Sequence, residues 1–374
     1  MGTTYSWHQG VVRLKSKWAV PTPLLPDEIF SSWLVRVAFA NGLEPMALTG
    51  SLWAKSRLWT IDIDRHLSQS QIATIAEYSG MSQQQISKSL LPCVSDKYTT
   101  NIGTKEPAIA PWILALGSRS RKRYGGMQYC PKCLAEDEIS YFRINWRFAW
   151  HTCCLKHSCV LLDRCPHCKS AIQFHKRTYQ TPSMRHCAVC NGDLIENDLQ
   201  VAPNLAMQLQ DTADQVLLLG DSSKSVDYFL RLRMFELLVR RHLLSNHQAI
   251  NKLCNLVELH SNDAFQFTPL GLAFEILSTE ERLLYLDMIQ TFMGLSDDTL
   301  THHLMSAGLT QQALCPSPIV IPESLQHIFN QLPNAQRNTK QVRSSAELFE
   351  IPPPRSEKQV MRTFERLKRK IRAL

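Results

Sequence analysis

Between positions 130 and 190 metal-binding residue types arrive in pairs: Cys130-Pro131-Lys132-Cys133, Cys154-Leu155-Lys156-His157, Cys165-Pro166-His167-Cys168 and Cys187-Ala188-Val189-Cys190. Two ligands three positions apart sit on one tight knuckle, where both can face a zinc ion held tetrahedrally at about 2.3 Å from thiolate sulfur. Gaps of 20 and 18 residues separate the knuckles of each half, room for a hairpin before the second pair. Two structural Zn2+ ions per chain are therefore expected, one on Cys130, Cys133, Cys154 and His157, the other on Cys165, Cys168, Cys187 and Cys190. Neither set leaves an open coordination position, so no water is activated and hydrolytic chemistry is not expected. The metals would stand in for a core too small to hold about 60 residues by itself.

Alternatives lie close in sequence: Cys153, Cys159, His151, His167, His175 and His186. Cys154 is preferred to Cys153 because it keeps the two-residue spacing to His157, and the choice between them stays open. A redox dithiol would need a strand-to-helix setting of thioredoxin type, which the sequence does not offer.

A second group of residues is suited to nucleic acid. Residues 70–82 and then Gln83 to Leu91 have the layout of a helix-turn-helix with Gly80 in the turn, and Gln83, Gln84, Gln85 and Lys88 would be exposed on its second helix. Glutamine can read adenine in a major groove, but one lysine gives little phosphate contact, and an ordinary helical hairpin is the competing reading. A weaker pattern of the same kind runs from Leu283 to Leu314. After Ile351-Pro352-Pro353-Pro354, the segment from Ser356 to Leu374 reads as a capped terminal helix with Val360, Phe364, Leu367 and Ile371 on one face. Its cations, among them Arg366, Lys368, Arg369 and Lys370, could meet phosphates, or simply be the solvated side of a docked helix.

These groups need elements to hold them. Ile29 to Ala38 is amphipathic with Ile29, Trp33 and Val37 on one face, and Asn41-Gly42 supplies its stop. Leu205–Leu219, Val226–Leu244 and Thr279–Phe292 are apolar at helical spacing, and Ser296-Asp297-Asp298 can cap another helix. Arg119, Arg121, Lys122 and Arg123, followed by Gly125-Gly126, mark a hinge before the cysteines. The expected architecture is mainly α with a small zinc-ribbon α+β segment: a helical domain at 1–125, a tandem zinc-binding domain at 126–200, a helical domain at 201–350 and a basic terminal helix at 351–374.

The bulk properties agree. A hydrophobic share of 44% and a charged share of 20% are those of a soluble globular chain, and a net charge of +8 suits a polyanionic partner such as DNA or RNA. The start of the chain lacks the pattern of a secretory signal, and no apolar run approaches the roughly 20 residues of a spanning helix, so a cytoplasmic site and no membrane contact are expected. In that compartment C-x-x-C pairs point to metal rather than disulfides.

Tyr129-Cys130-Pro131-Lys132-Cys133-Leu134-Ala135-Glu136-Asp137, Trp146-Arg147, Cys154-Leu155-Lys156-His157, Leu161-Leu162-Asp163-Arg164-Cys165-Pro166-His167-Cys168 and Cys187-Ala188-Val189-Cys190 resemble the zinc core of the TniQ family. Pro23-Leu24-Leu25-Pro26-Asp27-Glu28, Ser32-Trp33-Leu34, Arg36, Ala38 and Asn41-Gly42 are similar to that family's opening signature, and together the two cover roughly the first 200 residues. The doubled Cys153-Cys154 is the main departure. The resemblance implies a non-enzymatic target-selection subunit of a transposon, which hands a marked site to an AAA+ regulator, TnsC. Some members ride on an RNA-guided CRISPR effector of Cascade type with its guide RNA, often as a homodimer, while longer relatives of TnsD type bind an attachment site in DNA directly. A non-catalytic role fits the residues too, since no Gly-Lys dipeptide exists to build a phosphate-binding loop.

Overall fold

The computed structural model describes residues 18–334, apart from 55, 57, 100–108, 117–125, 181–182, 196–198, 260–264 and 317–319, and beyond 334 it describes Met361 alone. The chain divides into two compact units, Met1–Pro333 and Asn334–Leu374. The terminal-helix residues Arg366, Lys368, Arg369 and Lys370 and the basic run at 119–123 fall outside the described residues.

The fold of the first unit is mainly α, as the sequence pattern indicates. Helices α1 (Phe30–Ala40), α2 (Pro45–Leu52), α3 (Gln69–Ser79), α4 (Gln83–Lys88) and α5 (Pro92–Ser95) precede the cysteine-rich stretch. That stretch holds α6 (Pro131–Glu136) and a two-stranded antiparallel hairpin, β1 (Cys153–Cys154) with β2 (Cys159–Val160), in which Cys154 stands opposite Cys159. After it come α7 (Asn204–Leu218), α8 (Ser222–Leu244), α9 (Gln248–Leu256), α10 (Thr279–Met293), α11 (Asp297–Ala307), α12 (Gln311–Leu314) and α13 (Gln326–Gln331). Helix α7 packs on α8 and α10, α10 on α8, and α9 on α11.

Local chemistry sets several boundaries. Helix α1 buries Phe30, Trp33, Leu34 and Val37, and it stops where Gly42 takes a left-handed φ of 70° that a side chain would resist. Helices α3 and α4 each open on a complete capping box, Ser68 with Gln71 and Ser82 with Gln85, and Gly80 turns the chain between them at φ 74°. The second helix, expected to reach Leu91, ends at Lys88. Pro92 has no N–H to give the Lys88 carbonyl, which takes the Cys93 thiol instead, while the Ser89 carbonyl accepts from Phe30 N and Leu91 N donates to the Asp64 carbonyl. Gly126 also differs from its expected part as a hinge. A Cβ there would lie 2.7 Å from the Ala115 oxygen and Leu116 Cα, so the glycine lets two backbones close on each other.

Most of the buried apolar residues fall in two clusters. A smaller cluster, including Phe30, Trp33, Leu48, Ile72, Ile75 and Ile86, belongs to the first helices. The large cluster runs from Ile29 through Tyr129, Phe142, Phe148 and Trp150 to Phe229, Leu286 and Phe292, and it takes in Cys130, Cys133, Cys154 and Cys165. The metal-binding residue types are thus set into one wall of the main core. Arg282 on α10 reaches into this wall, donating to the Ala149 carbonyl at 2.7 Å and to Gln128 Oε1 at 3.0 Å.

Candidate metal centres

The structure gathers the paired cysteines into two groups. In the first, the Sγ atoms of Cys130, Cys133 and Cys154 and a ring nitrogen of His157 lie within 4.8 Å of one another; in the second, so do the Sγ atoms of Cys165, Cys168, Cys187 and Cys190. Each group offers four donors and could hold a metal ion.

The first group is built by a helix start and a hairpin. Cys130 is the N-cap of α6, its sulfur accepting from Cys133 N at 3.5 Å, and Pro131 opens the helix. Cys154 ends β1 and His157 follows in the turn to β2. Adjacent strand residues face opposite ways, so Cys154 turns to the donor group while Cys153 packs against Ala202, Ala206 and Leu283. His157 presents Nδ1, 3.3 Å from Cys130 Sγ and 3.4 Å from the Cys133 and Cys154 sulfurs. Cys133 and Cys154 are 3.6 Å apart. A fifth sulfur stands at the edge: buried Cys159 lies 3.7 Å from Cys130 Sγ.

The second group consists of two turns of one design. Cys165 N donates to Ser170 O and Lys169 N to Cys165 O; correspondingly, Cys187 N donates to Gly192 O and Asn191 N to Cys187 O. Lys169 (φ 58°) and Asn191 (φ 59°), each directly after the second cysteine of its pair, are left-handed, and so is Ser158 (φ 48°) after His157. Sulfur contacts of 3.7 Å join Cys165 to Cys190 and Cys168 to Cys187. A Cβ at Gly192 would fall 2.4 Å from the His167 ring, which would have to move to admit it.

Within each group the thiols shift one another's titration in opposite directions. Hydrogen bonding with Cys133 carries the Cys130 thiol down to about 6, and Cys154 is held well below its ordinary value by bonds with Cys130 and Cys133. Cys133 and Cys159 are pushed far up, largely by their bonds with Cys130. In the second group burial lifts Cys165 to about 12, whereas Cys168, despite burial, is brought down to about 6 by Ser170, Cys190 and Cys187. Crowded thiolates cannot all ionise without a counter-charge, and a bound cation supplies one.

The other histidines are committed elsewhere. His151 Nε2 is 2.8 Å from Asp214 on α7, His167 Nε2 is 2.9 Å from the Asp193 carbonyl, His175 stacks on Trp59, and His186, whose backbone pairs with Asp193, is in neither donor group. Gln83, Gln84 and Lys88 are exposed on α4, while Gln85 is spent capping that helix.

The first centre is tied to the opening segment. Ile29 N donates to Phe142 O, Ile144 N to Asp27 O, and Phe142 N to Ser32 Oγ at 3.0 Å; Glu28 meanwhile holds Arg36 at 2.6 Å. The Pro23–Asn41 signature and the Cys130–His157 signature are therefore parts of one structural unit. Sequence reasoning missed two acids in this unit, the half-buried Asp62 and the buried Asp64, both bound to Arg147. Their only signal is their place in an otherwise unremarkable loop.

Residues 20–161 match the TniQ family model, so the chain carries a TniQ domain, and the resemblance drawn from the two signatures is borne out over that stretch. No curated protein matches the chain. Among the described residues no helix is long and apolar enough to cross a membrane.

Proposed function

We propose that the chain is a non-catalytic target-selection adaptor of a transposon, joining an RNA-guided CRISPR effector of Cascade type, or target DNA, to the AAA+ regulator TnsC. The TniQ domain over residues 20–161 carries this reading. Both donor groups are taken to hold Zn2+. Ligands at about 2.3 Å in a tetrahedron have sulfur–sulfur edges of about 3.8 Å, and contacts of 3.6 and 3.7 Å approach that value. Cys130, Cys133, Cys154 and His157 would complete one shell, and Cys165, Cys168, Cys187 and Cys190 the other. With no position left for water, each ion holds the fold rather than performing a reaction.

Gln83, Gln84 and Lys88 offer one cation and two amides, too little for a specific reader, for which about 10⁻⁸ M or tighter is typical. Selectivity then comes from base pairing within the effector's guide complex. The basic tail, with Arg366, Lys368, Arg369 and Lys370, adds sequence-blind attraction to phosphate, and the four-part division at 125, 200 and 350 separates these tasks. The adaptor works in the cytoplasm, as a homodimer on its effector.

The test is whether the purified full chain co-elutes with the guide-loaded effector and then retains TnsC, while leaving no footprint on duplex DNA by itself. Failure of both associations sinks the proposal. A footprint at one defined duplex site without guide RNA supports the second reading, a TnsD-like protein that reads an attachment site directly, which the exposure of Gln83, Gln84 and Lys88 on one short helix favours.

A further inference from the structure

Helix α6 brings more than two thiols to the first centre. Three positions beyond Cys133 on the same helix, and six beyond Cys130, stands Glu136. Its Oε1 lies 2.9 Å from Nε2 of His157, the nitrogen turned away from the sulfurs, while Nδ1 of that ring faces Cys130, Cys133 and Cys154. The second oxygen, Oε2, is 2.6 Å from Lys156 Nζ, which holds the carboxylate from the far side. Neutral imidazole has one N–H and one lone pair, so an acceptor at Nε2 keeps the proton there and leaves the lone pair on Nδ1.

We propose that Glu136 is the positioning carboxylate of the first metal centre: it fixes the ring and tautomer of His157 so that Nδ1 is the ligand. The inference rests on the reading that the centre holds Zn2+. The carboxylate touches no metal itself; it acts through the imidazole, strengthening its basicity and limiting its rotation. The second centre, with four thiolates and no imidazole, needs no such partner and is a control within the same molecule. Lys156 is secondary, because it meets Glu136 in an exposed pair.

The experiment is chelator competition on the full chain loaded with Zn2+, with ring ¹⁵N NMR of His157. The wild type is expected to hold two ions, with Nδ1 of His157 bound and Nε2 protonated. Glu136→Ala should weaken one ion about 10- to 100-fold and leave the other unchanged. Glu136→Gln, whose amide oxygen still accepts from Nε2–H, should recover much of the loss. In a His157→Cys background a thiolate has no tautomer to fix, so Glu136→Ala should then change nothing. Unaltered affinity in Glu136→Ala, or an equal loss in the His157→Cys background, overturns the positioning role while leaving the zinc reading intact. A wild-type chain that binds no metal overturns both.

Discussion

Asp64 supplies the N-terminal acceptor that α1 lacks, and it does so while bonded to Arg147. Ile29, the residue before α1, has no side chain able to cap it; Asp64 Oδ1 accepts from Ser31 N at 2.8 Å and Oδ2 from Ser31 Oγ at 2.9 Å. Oδ2 also accepts from Arg147 Nη1 at 2.9 Å, and Asp62 meets both arms of the guanidinium, Oδ1 accepting from Nη1 at 3.1 Å and Oδ2 from Nη2 at 2.5 Å. Burial pushes the Asp64 carboxyl up to about 6 against the pull of Arg147. One acid thus joins the first helix to the segment that carries the first metal centre.

Asp64→Ala is expected to cost about 3 kcal/mol, because it strands the buried N–H and hydroxyl of Ser31 and takes one of two carboxylates from a buried guanidinium. Asp62→Ala should cost less, since the Asp62 side chain is 10% exposed against 1% for Asp64 and water can partly take its place. Urea unfolding of the two variants checks the order. Equal losses, or a larger one for Asp62→Ala, would refute it.

The left-handed residue after a ligand pair gives a second expectation. Lys169 adopts φ 58° between Cys168 and Ser170. A β-branched side chain is strained there, so Lys169→Val should cost about 1–2 kcal/mol and weaken one of two bound ions. Lys169→Gly, free of that strain, should be tolerated. Melting temperature and chelator titration report both effects; a valine variant as stable as the glycine variant would show that the turn is not confined to this geometry.

Cysteines 159 and 168 should behave differently. Cys168→Ser removes one of four donors and is expected to reduce the metal content from two ions to one, with a large drop in melting temperature. Cys159 lies beside the first centre without completing it, so Cys159→Ser should keep two ions and lose about 1 kcal/mol, a usual figure for a single buried change. Metal analysis showing a missing ion in Cys159→Ser would place that thiol among the ligands.

Much of this was readable in advance because it is local. Ligand spacing, helix period and caps act over three or four residues, and they anticipated α1, α3, α7, α8 and α10 and the two groups of donors. The direction of Cys154 rather than Cys153 was hinted at by its spacing to His157, but only the hairpin register, with Cys154 opposite Cys159, turns it to the group. Asp62, Asp64 and Glu275 were invisible for the opposite reason. Each gains its meaning from a partner far along the chain, as Glu275 does from Trp112 N at 2.7 Å and from Arg233. Nothing in the spacing around an isolated acid records such a partner.

Arg282 has a consequence for the order in which the chain can be built. The wall holding the first metal centre is finished by a side chain that donates to Ala149 and Gln128, residues 133 and 154 positions earlier. On a ribosome the four donors from Cys130 to His157 emerge well before α10. An ion bound by these donors would therefore be taken up while this side of the core is still open to water, and it would hold the nascent segment together until α10 is translated. Contacts so distant in sequence slow closure of the main core, whereas the small cluster around Trp33, Ile75 and Ile86 can assemble as soon as α4 leaves the exit tunnel.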